Sequence, residues 1–464
     1  MERILISQTP GYLGKEVTIC GWVNTRRDHG GIVFIDLRDA SGIVQVILKT
    51  EKASGIKPEW VLCIKGLVKE RPRGMQNPHL LTGKVEIQSE NLQVLSKAKT
   101  PPFSIEGEGY DISEEKRLKY RYLDLRRERM RNNLRSRQRV IHFIRDFLID
   151  QGFLEIETPL LTKSTPEGAR DFLVPARLQP GLFYALPQSP QQYKQLLMVA
   201  GLEKYFQIAR CLRDEDPRSD RQAEFTQLDI ETSFMDQAEI LQLIEGLFVN
   251  IVKKLFPEKR IKEIPFPRIS YQKAMEKYSS DKPDLRNNKN NPDELAFSFI
   301  VDFPMFEWKK EEKRWDAVHH PFTMPQTEDV KEIKKNPQKV LAFQYDLVLN
   351  GEEVGGGSLR SYRSETLQAV FEVMGHNKEA IKKQFGHLLK AFEYGVPPHG
   401  GIAVGFDRFL SILVNEKNIR EVIAFPKTGD NRDLMMEAPS DISESQLKEL
   451  SLRINKRKTK KRLF

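Results

Sequence analysis

Cysteine is scarce in this chain of 464 residues, which contains three: Cys20, Cys63 and Cys211. They lie far apart and form no CxxC pair or other metal-ligand spacing, which argues against a zinc ribbon and against a disulfide framework. We therefore expect the protein to work in a reducing compartment, the cytoplasm.

Long apolar runs are also missing. No segment is long enough to span a membrane, and the apolar part of the first 16 residues is too short for a signal peptide. Negative charge is in deficit. The chain has 65 Asp and Glu against 74 Lys and Arg, which gives a net charge of +9. This excess favours an anionic partner such as nucleic acid, although basic proteins of many functions exist.

The first 97 residues are predicted to be all-β. Turn residues separate five β-branched runs, at 17–23, 32–37, 43–48, 60–68 and 84–94. Five short strands in this length predict a small closed barrel of the OB type, a fold that often binds single-stranded nucleic acid. Its first hairpins carry Arg26, Arg27, His29, Phe34 and Gln45, and a core position is favoured for Phe34.

Residues 98–133 are predicted to be a linker. Thr100-Pro101-Pro102 ends the barrel, and the very basic, partly helical sequence EEKRLKYRYLDLRRERMRNNLRSR follows. It is interpreted either as a solvated hinge or as a hinge that also touches a phosphate backbone. An amphipathic helix comes next, with Val140, Ile144 and Leu148 on one stripe.

The stretch from Cys211 to Glu231 is predicted to be a strand, a charged loop and a second strand. In the second strand, Phe225, Gln227, Asp229 and Glu231 share one face. An amide and two carboxylates beside an aromatic ring suit the floor of a site that holds a polar ligand and stacks a flat ring. Alone, this segment is equally consistent with a solvated hairpin.

Arg213 and Glu215 precede that strand and share a face, where an arginine fork can hold a phosphate and a carboxylate a ring amine. Upstream, Ser189 as N-cap and Pro190 as first helical residue predict a helix. Gln191 and Lys194 lie three apart on one face of this helix, directed at the same pocket, although a lone helical lysine is usually exposed.

Residues 345–362, YDLVLNGEEVGGGSLRSY, are predicted to be a strand, a turn and a strand. Asp346 and Glu353 are carboxylates that can hold Mg²⁺ against phosphates, and the three consecutive glycines let a ligand lie against backbone. Arg408 lies in the first turn of a later helix, where the helix dipole and a guanidinium jointly suit a phosphate. The adjacent His319 and His320 are a poor metal pair and are interpreted as substrate contacts or ordinary loop residues.

Together these segments resemble the class II aminoacyl-tRNA synthetases, and nearly the whole chain resembles the bacterial-type aspartyl-tRNA synthetase family. GFLEIETPLL, RDEDPRSDRQAEF and GIAVGFDR match the three class motifs. More specific to the family are the segments TPEGARDFLVP, ALPQSPQQYKQLLM, FTQLDIETSFM, VDFPMF, HHPFT, EVGGGSLR and VIAFPKT.

The resemblance implies an α+β fold: an OB-fold anticodon-binding barrel (residues 1–97), a linker (98–133) and a class II catalytic domain (134–464) whose antiparallel sheet is flanked by helices. It implies a cytoplasmic homodimer that condenses L-aspartate with ATP, with Mg²⁺, and passes the aspartyl group to the terminal adenosine of tRNA-Asp. GWVNTRRDHGGIVFIDLRD resembles the anticodon barrel. The histidine at position 29 of this segment resembles the residue found there in the relaxed form of the family, whose members also charge tRNA-Asn.

Carried over by position, the resemblance implies these roles. Aspartate would contact Glu167, Gln191, Lys194, Asp229, His319, His320 and Arg360. ATP would contact Arg213, Asp214, Glu215, Gln222, Phe225, Gln227, Glu353, Gly405, Phe406, Asp407 and Arg408. Mg²⁺ would be held by Asp346 and Glu353, catalysis would rely on Arg213, Arg360 and Arg408, and the anticodon would meet Arg27, His29, Phe34 and Gln45.

One departure from the family is a short link at residues 281–298, where bacterial-type members carry an inserted domain. Two other enzymes remain as alternatives. A lysyl-specific enzyme is disfavoured because Lys194 and Arg360 would repel a lysine substrate, and an asparaginyl enzyme is disfavoured by the aspartyl-type segments. A non-catalytic RNA-binding relative would be expected to have lost Arg213, Glu353 or Arg408, and all three are present.

Overall fold

The computed structural model describes residues 2–164, 168–215 and 221–455, without the side chains of residues 378 and 380. The chain forms two compact units, residues 1–109 and 110–464. No helix of the described residues is long and apolar enough to cross a membrane.

The first unit is a closed barrel with strand order β1-β2-β3-β5-β4, which confirms the predicted OB fold. Side chains alternate along each strand, so Val17, Ile19 and Val23 of the first strand enter the core and the residues between them face outward. The strands are β1 (Glu16–His29), β2 (Ile32–Arg38), β3 (Ile43–Lys49), β4 (Val61–Glu70) and β5 (Val85–Ser96).

The interior position favoured for Phe34 is wrong. Val33, Ile35 and Leu37 of β2 fill the core, whereas Phe34 lies half-buried on the outer face, with its ring edge-to-face at 5.7 Å from the ring of His29. Both faces of this strand carry apolar residues, so alternation alone does not decide which face is interior.

The second unit is built on an eight-stranded sheet with helices packed against it. The strands of the whole second unit, eight of which form this sheet, are β6 (Leu154–Glu155), β7 (Leu173–Pro175), β8 (Phe183–Ala185), β9 (Lys204–Leu212), β10 (Glu224–Ser233), β11 (Arg260–Ile261), β12 (Arg268–Ser270), β13 (Glu294–Leu295), β14 (Phe297–Pro304), β15 (Phe306–Lys309), β16 (Arg314–Ala317), β17 (Leu341–Leu349), β18 (Glu352–Leu359) and β19 (His399–Gly405). Its helices are α1 (Glu114–Lys119), α2 (Arg121–Asp124), α3 (Glu128–Asp150), α4 (Gln191–Val199), α5 (Gln237–Leu255), α6 (Tyr271–Tyr278), α7 (Val330–Lys335), α8 (Ser364–Val373), α9 (Lys378–Phe392), α10 (Phe406–Leu413) and α11 (Glu444–Glu449).

The sheet order is β12-β14-β17-β18-β19-β10-β9-β6. The six central strands are antiparallel, as predicted, but the short edge strands β12 and β6 pair in parallel with their neighbours. The strand predicted in FLEIETPLL is thus reduced to Leu154–Glu155. The mixed α+β fold of the prediction is confirmed, with these two parallel edges as the difference.

One face of the sheet carries the main hydrophobic core. Helices α3, α5 and α10 cover it, and Leu228 and Ile230 of β10 point into it. Helix α5 begins with a capping box, in which the Asp236 carboxylate accepts from the Glu239 amide and the Glu239 carboxylate accepts from the Asp236 amide. The packed helices leave the opposite face of the sheet for polar side chains.

The segment 98–133, predicted as a linker, is divided between the two units, since residues 110–133 belong to the second one. Three of its arginines are not solvated. Arg117, Arg121 and Arg127 are buried around the carboxylate of Asp124, at 3.2, 2.9 and 2.8 Å. Arg117 also forms a two-bond pair with the buried Glu421. These side chains therefore anchor the start of the second unit and are not available to a phosphate backbone.

Candidate functional site

The polar face of β10 forms the floor of a cavity of about 390 Å³ in the second unit. Gln227, Asp229 and Glu231 are all buried, on the opposite side of the strand from Leu228 and Ile230. The neighbouring helix α4 faces this floor. Pro190, not Ser189, is its N-cap residue, although the Ser189 hydroxyl accepts a hydrogen bond from the Gln191 amide.

At one end of the cavity two cations meet two carboxylates with almost no solvent access. The Lys194 ammonium lies 2.6 Å from Asp229 and 3.3 Å from Glu231. The Arg360 guanidinium donates to both oxygens of Glu231, at 2.9 and 3.0 Å, and to the Ser358 hydroxyl at 2.7 Å. Charges at these distances in such surroundings interact far more strongly than on the surface.

Strand register brings Arg360 and Glu231 together. Glu231 of β10 and Ser358 of β18 both pair with Gly401 on the strand between them, β19. A Cβ atom at Gly401 would collide with the Glu231 carboxylate. The glycine therefore leaves the space in which side chains from two non-adjacent strands form their ion pair.

The two carboxylates of this end differ in proton affinity. Burial raises the pKa of Asp229, and the nearby Lys194 offsets this only in part. For Glu231 burial also raises the pKa, but Arg360 and Lys194 outweigh it and bring the pKa to about 2. Glu231 thus holds its charge firmly and fixes Arg360 in place, while Asp229 gains from any added cation.

Several buried polar atoms at this end have no partner in the described chain. They are Nε2 of Gln191, Nε2 of His320 and Oδ2 of Asp229. Burial lowers the pKa of His320 to about 3, so its imidazole is neutral. Its Nδ1 accepts from the Phe322 amide, which leaves the proton on Nε2. Two donors and one acceptor thus await a small polar ligand.

The other end of the cavity has the features that suit a nucleotide. The Arg213 guanidinium lies 5.2 Å from the Phe225 ring centroid, and Glu215 pairs with Arg221. The amide group of Gln222 is bonded on both sides to the backbone of Lys427, at 2.8 and 3.1 Å. Arg213 and Phe225 line the cavity directly, whereas Gln222 also holds the 427 segment beside it.

A pair of carboxylates flanks the glycine strand. Gly356 lies between them: a Cβ there would stand 3.1 Å from Asp346 Oδ1 and 3.7 Å from Glu353 Oε1. Burial raises the pKa of Asp346 well above its usual value, and the negative charge of Glu353 adds to this rise. Gln344 donates to Asp346 at 2.8 Å, and His319 lies 3.8 Å from it. Carboxylates this close, without a cation between them, suit a divalent metal ion.

Packing within the sheet is one reason why this run consists of glycines. A Cβ at Gly357 would collide with the Gly401 carbonyl and with the Tyr345 ring. Gly355, Gly356 and Gly357 nevertheless all line the cavity, so a ligand can lie against this backbone as the sequence predicted.

Most of the predicted residues are brought together here. The cavity lining includes Gln191, Lys194, Arg213, Glu215, Gln222, Phe225, Gln227, His319, His320, Glu353, Arg360, Gly405, Asp407 and Arg408. Asp229 and Asp346 stand directly behind that lining, through their contacts with Lys194 and Gln344. Glu167 lies outside the described residues.

Three of the predicted ATP contacts have other roles. The Phe406 ring is buried in the hydrophobic core beneath Arg137 rather than in the lining. The carboxylate of Asp407 accepts from the Thr226 amide at 2.8 Å and from Arg137, so it joins the start of α10 to β10. The Asp214 amide donates to the Arg170 carbonyl at 3.0 Å, the Asp214 carbonyl accepts from Arg170 Nε at 3.1 Å, and Asp214 is not part of the cavity lining.

Sequence reasoning missed several residues of the site. It placed Glu231 on the correct face but gave it no role, although alternation with Asp229 was a signal. Gln344, two residues before Asp346, carried the same signal. Ser189, Arg221, Ile419 and Asn431 also line the cavity, and the last two come from a distant segment that no local pattern links to it.

The barrel residues predicted to read nucleic acid lie on one outer face of the first unit. Arg27 donates to Asp36 at 2.9 Å and to Gln45 at 3.2 Å, and Gln45 donates to Glu86 at 2.8 Å. His29 and Phe34 stand beside this polar row. An exposed face with a row of hydrogen-bonding groups and an accessible ring is what OB folds use to bind single-stranded bases.

Comparison with known families agrees with both units. A profile of the OB-fold nucleic acid binding domain matches residues 17–95, and a profile of the class II tRNA synthetases (D, K and N) matches residues 113–429.

Two relatives share the name Aspartate–tRNA(Asp/Asn) ligase. The protein of Dehalococcoides mccartyi (strain CBDB1) is 41% identical, with 96% of this chain and 98% of the relative covered. That of Syntrophomonas wolfei is 43% identical, with the same coverage. The first alignment runs over 586 positions against 464 residues here, so that relative contains segments absent from this chain.

Solved structures have the same fold. Asparaginyl-tRNA synthetase from Pyrococcus horikoshii, complexed with asparaginyl-adenylate, has a TM-score of 0.74 at 24% identity and covers 92% of this chain and 98% of its own. Aspartyl-tRNA synthetase from Entamoeba histolytica has a TM-score of 0.70 at 23% identity, covering 92% and 91%. With a barrel, a sheet and a charged cavity of this kind, and with a family profile matched over most of its length, the chain belongs to the class II tRNA synthetases (D, K and N), ligases that form aminoacyl-tRNA.

Proposed function

We propose that this protein is an aspartate–tRNA ligase. It activates L-aspartate with ATP to aspartyl-adenylate and transfers the aspartyl group to the 3′-terminal adenosine of tRNA-Asp and of tRNA-Asn. The observation that carries this proposal is the buried pair of cations, Lys194 and Arg360, at the amino-acid end of the cavity. Each cation pairs with a buried carboxylate and keeps N–H groups for a further acceptor, which suits a substrate with two carboxylates.

Within that end, Arg360 and Lys194 bind the substrate carboxylates. The neutral His320 donates from Nε2, and the Gln191 amide adds a second donor. The unpartnered oxygen of Asp229 accepts from the substrate ammonium, together with Glu167. His319, on the cavity wall, completes the contacts near Asp346.

At the nucleotide end, Arg213 binds the α-phosphate and Phe225 stacks on the adenine ring. Glu215 accepts from the adenine amine, and Gln222 and Gln227 lie beside it. Arg408, whose guanidinium donates to the Glu353 carbonyl at 2.6 Å, binds the γ-phosphate from the first turn of α10. Gly405 leaves room for the phosphates at the start of that helix.

Asp346 and Glu353 would hold Mg²⁺. The raised pKa of Asp346 supports this role, because a divalent ion would relieve the repulsion between the two carboxylates. No cluster of three or more potential ligand side chains occurs in the described residues, so these two carboxylates are the side chains offered to the ion. The metal would neutralise phosphate charge.

The activation step needs no side-chain nucleophile. A carboxylate oxygen of the substrate attacks the α-phosphorus in line, the bond to the β-phosphate oxygen breaks, and pyrophosphate leaves. The chain contributes by orienting the two reactants and by placing Arg213 where negative charge develops. A neutral His320 contributes a hydrogen bond and no proton transfer.

The choice of tRNA belongs to the barrel. Anticodons of tRNA-Asp and tRNA-Asn differ at one base, and an imidazole at position 29 can donate to or accept from either base edge. His29 lies at the exposed end of β1, against the Phe34 ring. Leucine at this position offers only an apolar wall. The name that the two relatives share includes both tRNAs, which supports the same choice.

We place the enzyme in the cytoplasm as a homodimer. Large apolar side chains that remain exposed in the second unit concentrate between residues 149 and 184, within and around GFLEIETPLL, the first of the three class motifs: Ile149, Leu154, Leu160, Leu161, Leu173, Leu178, Leu182 and Phe183. Exposed apolar side chains in this number support an interface with a second copy.

Aminoacylation of purified tRNA-Asp and tRNA-Asn transcripts with radioactive aspartate tests the proposal. Both transcripts should be charged, and asparagine should not replace aspartate in pyrophosphate exchange. With His29→Leu, the ratio of kcat/KM for tRNA-Asp over tRNA-Asn should rise about tenfold, about 1.4 kcal/mol. Charging of tRNA-Asp alone by the unaltered protein would leave a strict enzyme, and exchange driven by asparagine would replace the proposed substrate.

A further inference from the structure

A short segment, residues 281–296, packs against the turn that joins β17 to β18. We call it the link segment, and the turn consists of Asn350 and Gly351. Both turn residues have positive φ, +53° and +87°, as a two-residue hairpin turn of this sequence requires. The turn is therefore tight, and whatever holds it sets the start of β18.

Asn350 joins the turn to the link segment by three hydrogen bonds. Its amide donates to the Ala296 carbonyl at 3.2 Å, its Oδ1 accepts from the Ala296 amide at 2.8 Å, and its Nδ2 donates to the Glu294 carbonyl at 3.1 Å. The side chain thus acts as an extra rung between two pieces of backbone that are distant in sequence.

The remainder of the link segment closes over the same turn. Asp284 lies against Gly351, where a Cβ would stand 3.1 Å from the Asp284 Cβ. Lys282 pairs with Glu352 at 3.3 Å, with both side chains about half exposed. At its other end the segment is tied down by the buried Lys259, which donates to Asp293 at 3.0 Å. The link segment that holds the turn is thus itself anchored by Lys259.

Glu353 is two residues beyond this turn and pairs with Val348 in the ladder between β17 and β18. That pairing shifts between Leu347 and Val348, so that Val354 is an extra residue next to Glu353. A bulge interrupts the regular ladder and changes the direction of the strand. The ladder on the turn side of the bulge is two pairs long, so the position of Glu353 depends on the turn and its link-segment contacts as well as on this pairing.

We infer that the link segment, through Asn350, positions the Glu353 carboxylate for the divalent metal. Asn350 is a positioning residue, since it is not among the residues that line the cavity. This inference rests on the proposed metal role of Glu353, and it goes further by assigning a task to the short link segment. Without the rung, the bulged end of β18 would move, and Glu353 would meet Asp346 across Gly356 for a smaller fraction of the time.

Three variants test this. Asn350→Gly keeps the positive φ and removes both side-chain bonds, while Asn350→Asp keeps the Oδ1 acceptor and loses one donor. Asn290→Ala is the matched control, because Asn290 is an exposed asparagine of the same link segment. Glu353→Gln shows the result of losing the carboxylate itself.

The first readout is binding of Mn²⁺ in the presence of a non-hydrolysable ATP analogue, measured by electron paramagnetic resonance. Asn350→Gly should raise the half-saturating Mn²⁺ concentration roughly three- to tenfold, Asn350→Asp by less, and Asn290→Ala not at all. The Mg²⁺ concentration at half-maximal pyrophosphate exchange should shift in the same order, while the KM for aspartate stays constant.

The second readout is amide hydrogen exchange at residues 346–356, which should become faster in Asn350→Gly. Unchanged Mn²⁺ binding in that variant would overturn the inference, even if its thermal stability fell. Should Asn350→Gly fail to fold, Asn350→Asp decides by the same measurement. Metal binding and hydrogen exchange need no aspartate or tRNA, so a failure of the proposed activity would be seen separately, in the unaltered protein.

Discussion

Two arginine–carboxylate pairs of the same length have opposite surroundings. On the barrel, Arg27 lies 2.9 Å from Asp36, with the arginine side chain 50% exposed. In the cavity, Arg360 lies 2.9 Å from Glu231, with the side chains 5% and 0% exposed. Water screens the first pair, and its net contribution to stability is small. The second pair has lost its water, so each charge depends on the other.

The difference fits what each region would do. An exposed arginine can leave its carboxylate and meet a nucleic acid at little cost. A buried arginine held by two hydrogen bonds and a third from Ser358 keeps one orientation, which a small substrate needs. Judged by distance alone, the two ion pairs would be assigned the same strength.

The largest effect is expected from Arg360→Ala. The substitution leaves Glu231 buried beside Lys194 alone and removes a substrate cation. A loss of roughly 2–5 kcal/mol corresponds to a fall of roughly 30- to 5,000-fold in kcat/KM for aspartate-dependent pyrophosphate exchange. Circular dichroism checks folding, because the bond to Glu231 is structural as well. A folded variant with near-normal exchange would refute the assignment of this end of the cavity.

An intermediate effect is expected from Glu421→Gln. Glu421 accepts two bonds from Arg117, at 2.8 and 3.0 Å, and one from Arg129 at 3.0 Å. The amide keeps the shape and loses the charge, so the free energy of unfolding at pH 7 should fall by about 1–3 kcal/mol. Denaturation with urea, followed by circular dichroism, measures this. Loss of aspartate exchange at unchanged stability would point to another role.

The same pair predicts a pH dependence. Burial opposes the charge of Glu421, but the bonds and charges of Arg117 and Arg129 outweigh it and lower its pKa to about 2 from an ordinary 4.5. A lowered pKa in the folded state stabilises the protein above pH 4.5, and this contribution disappears as the pH falls towards 2. The stability difference between the unaltered protein and Glu421→Gln should therefore be full above pH 5 and shrink below it.

The smallest effect on stability is expected from Arg27→Ala. Loss of the exposed pair with Asp36 should change the free energy of unfolding by less than about 1 kcal/mol. The KM for tRNA should nevertheless rise several-fold, whereas aspartate-dependent pyrophosphate exchange, which needs no tRNA, should stay the same. A marked loss of stability would show that the two pairs are less different than their exposure indicates.

Much of the fold was predictable because it follows from local patterns. The five barrel strands and helix α3 lie where alternation and the amphipathic stripe placed them. What failed depended on packing. The basic segment 110–133 resembles a solvated hinge in sequence, yet Arg117, Arg121 and Arg127 are buried against Asp124. Arg117 also pairs with Glu421, which is about 300 residues away. The prediction that Phe34 faces the barrel core was wrong because both faces of its strand carry apolar residues.

The candidate site was predictable by a different route. Alternation put Asp229 and Glu231 on one face of β10, and the motifs resembling the family supplied most other residues. Phe406 was assigned to the nucleotide from its neighbours in the motif, but it lies in the core, because alternate residues at a strand–helix junction face opposite sides.

The order of residues is enough to show which ionisable side chains share a strand face, because the period of a strand is set by backbone geometry. Their partners depend on how the strands are arranged in space. Glu231 meets Arg360, 129 residues later, because β10 and β18 flank β19 and Gly401 leaves the space between them. Burial then decides the strength of that pair, since the same 2.9 Å on the barrel surface is screened by water.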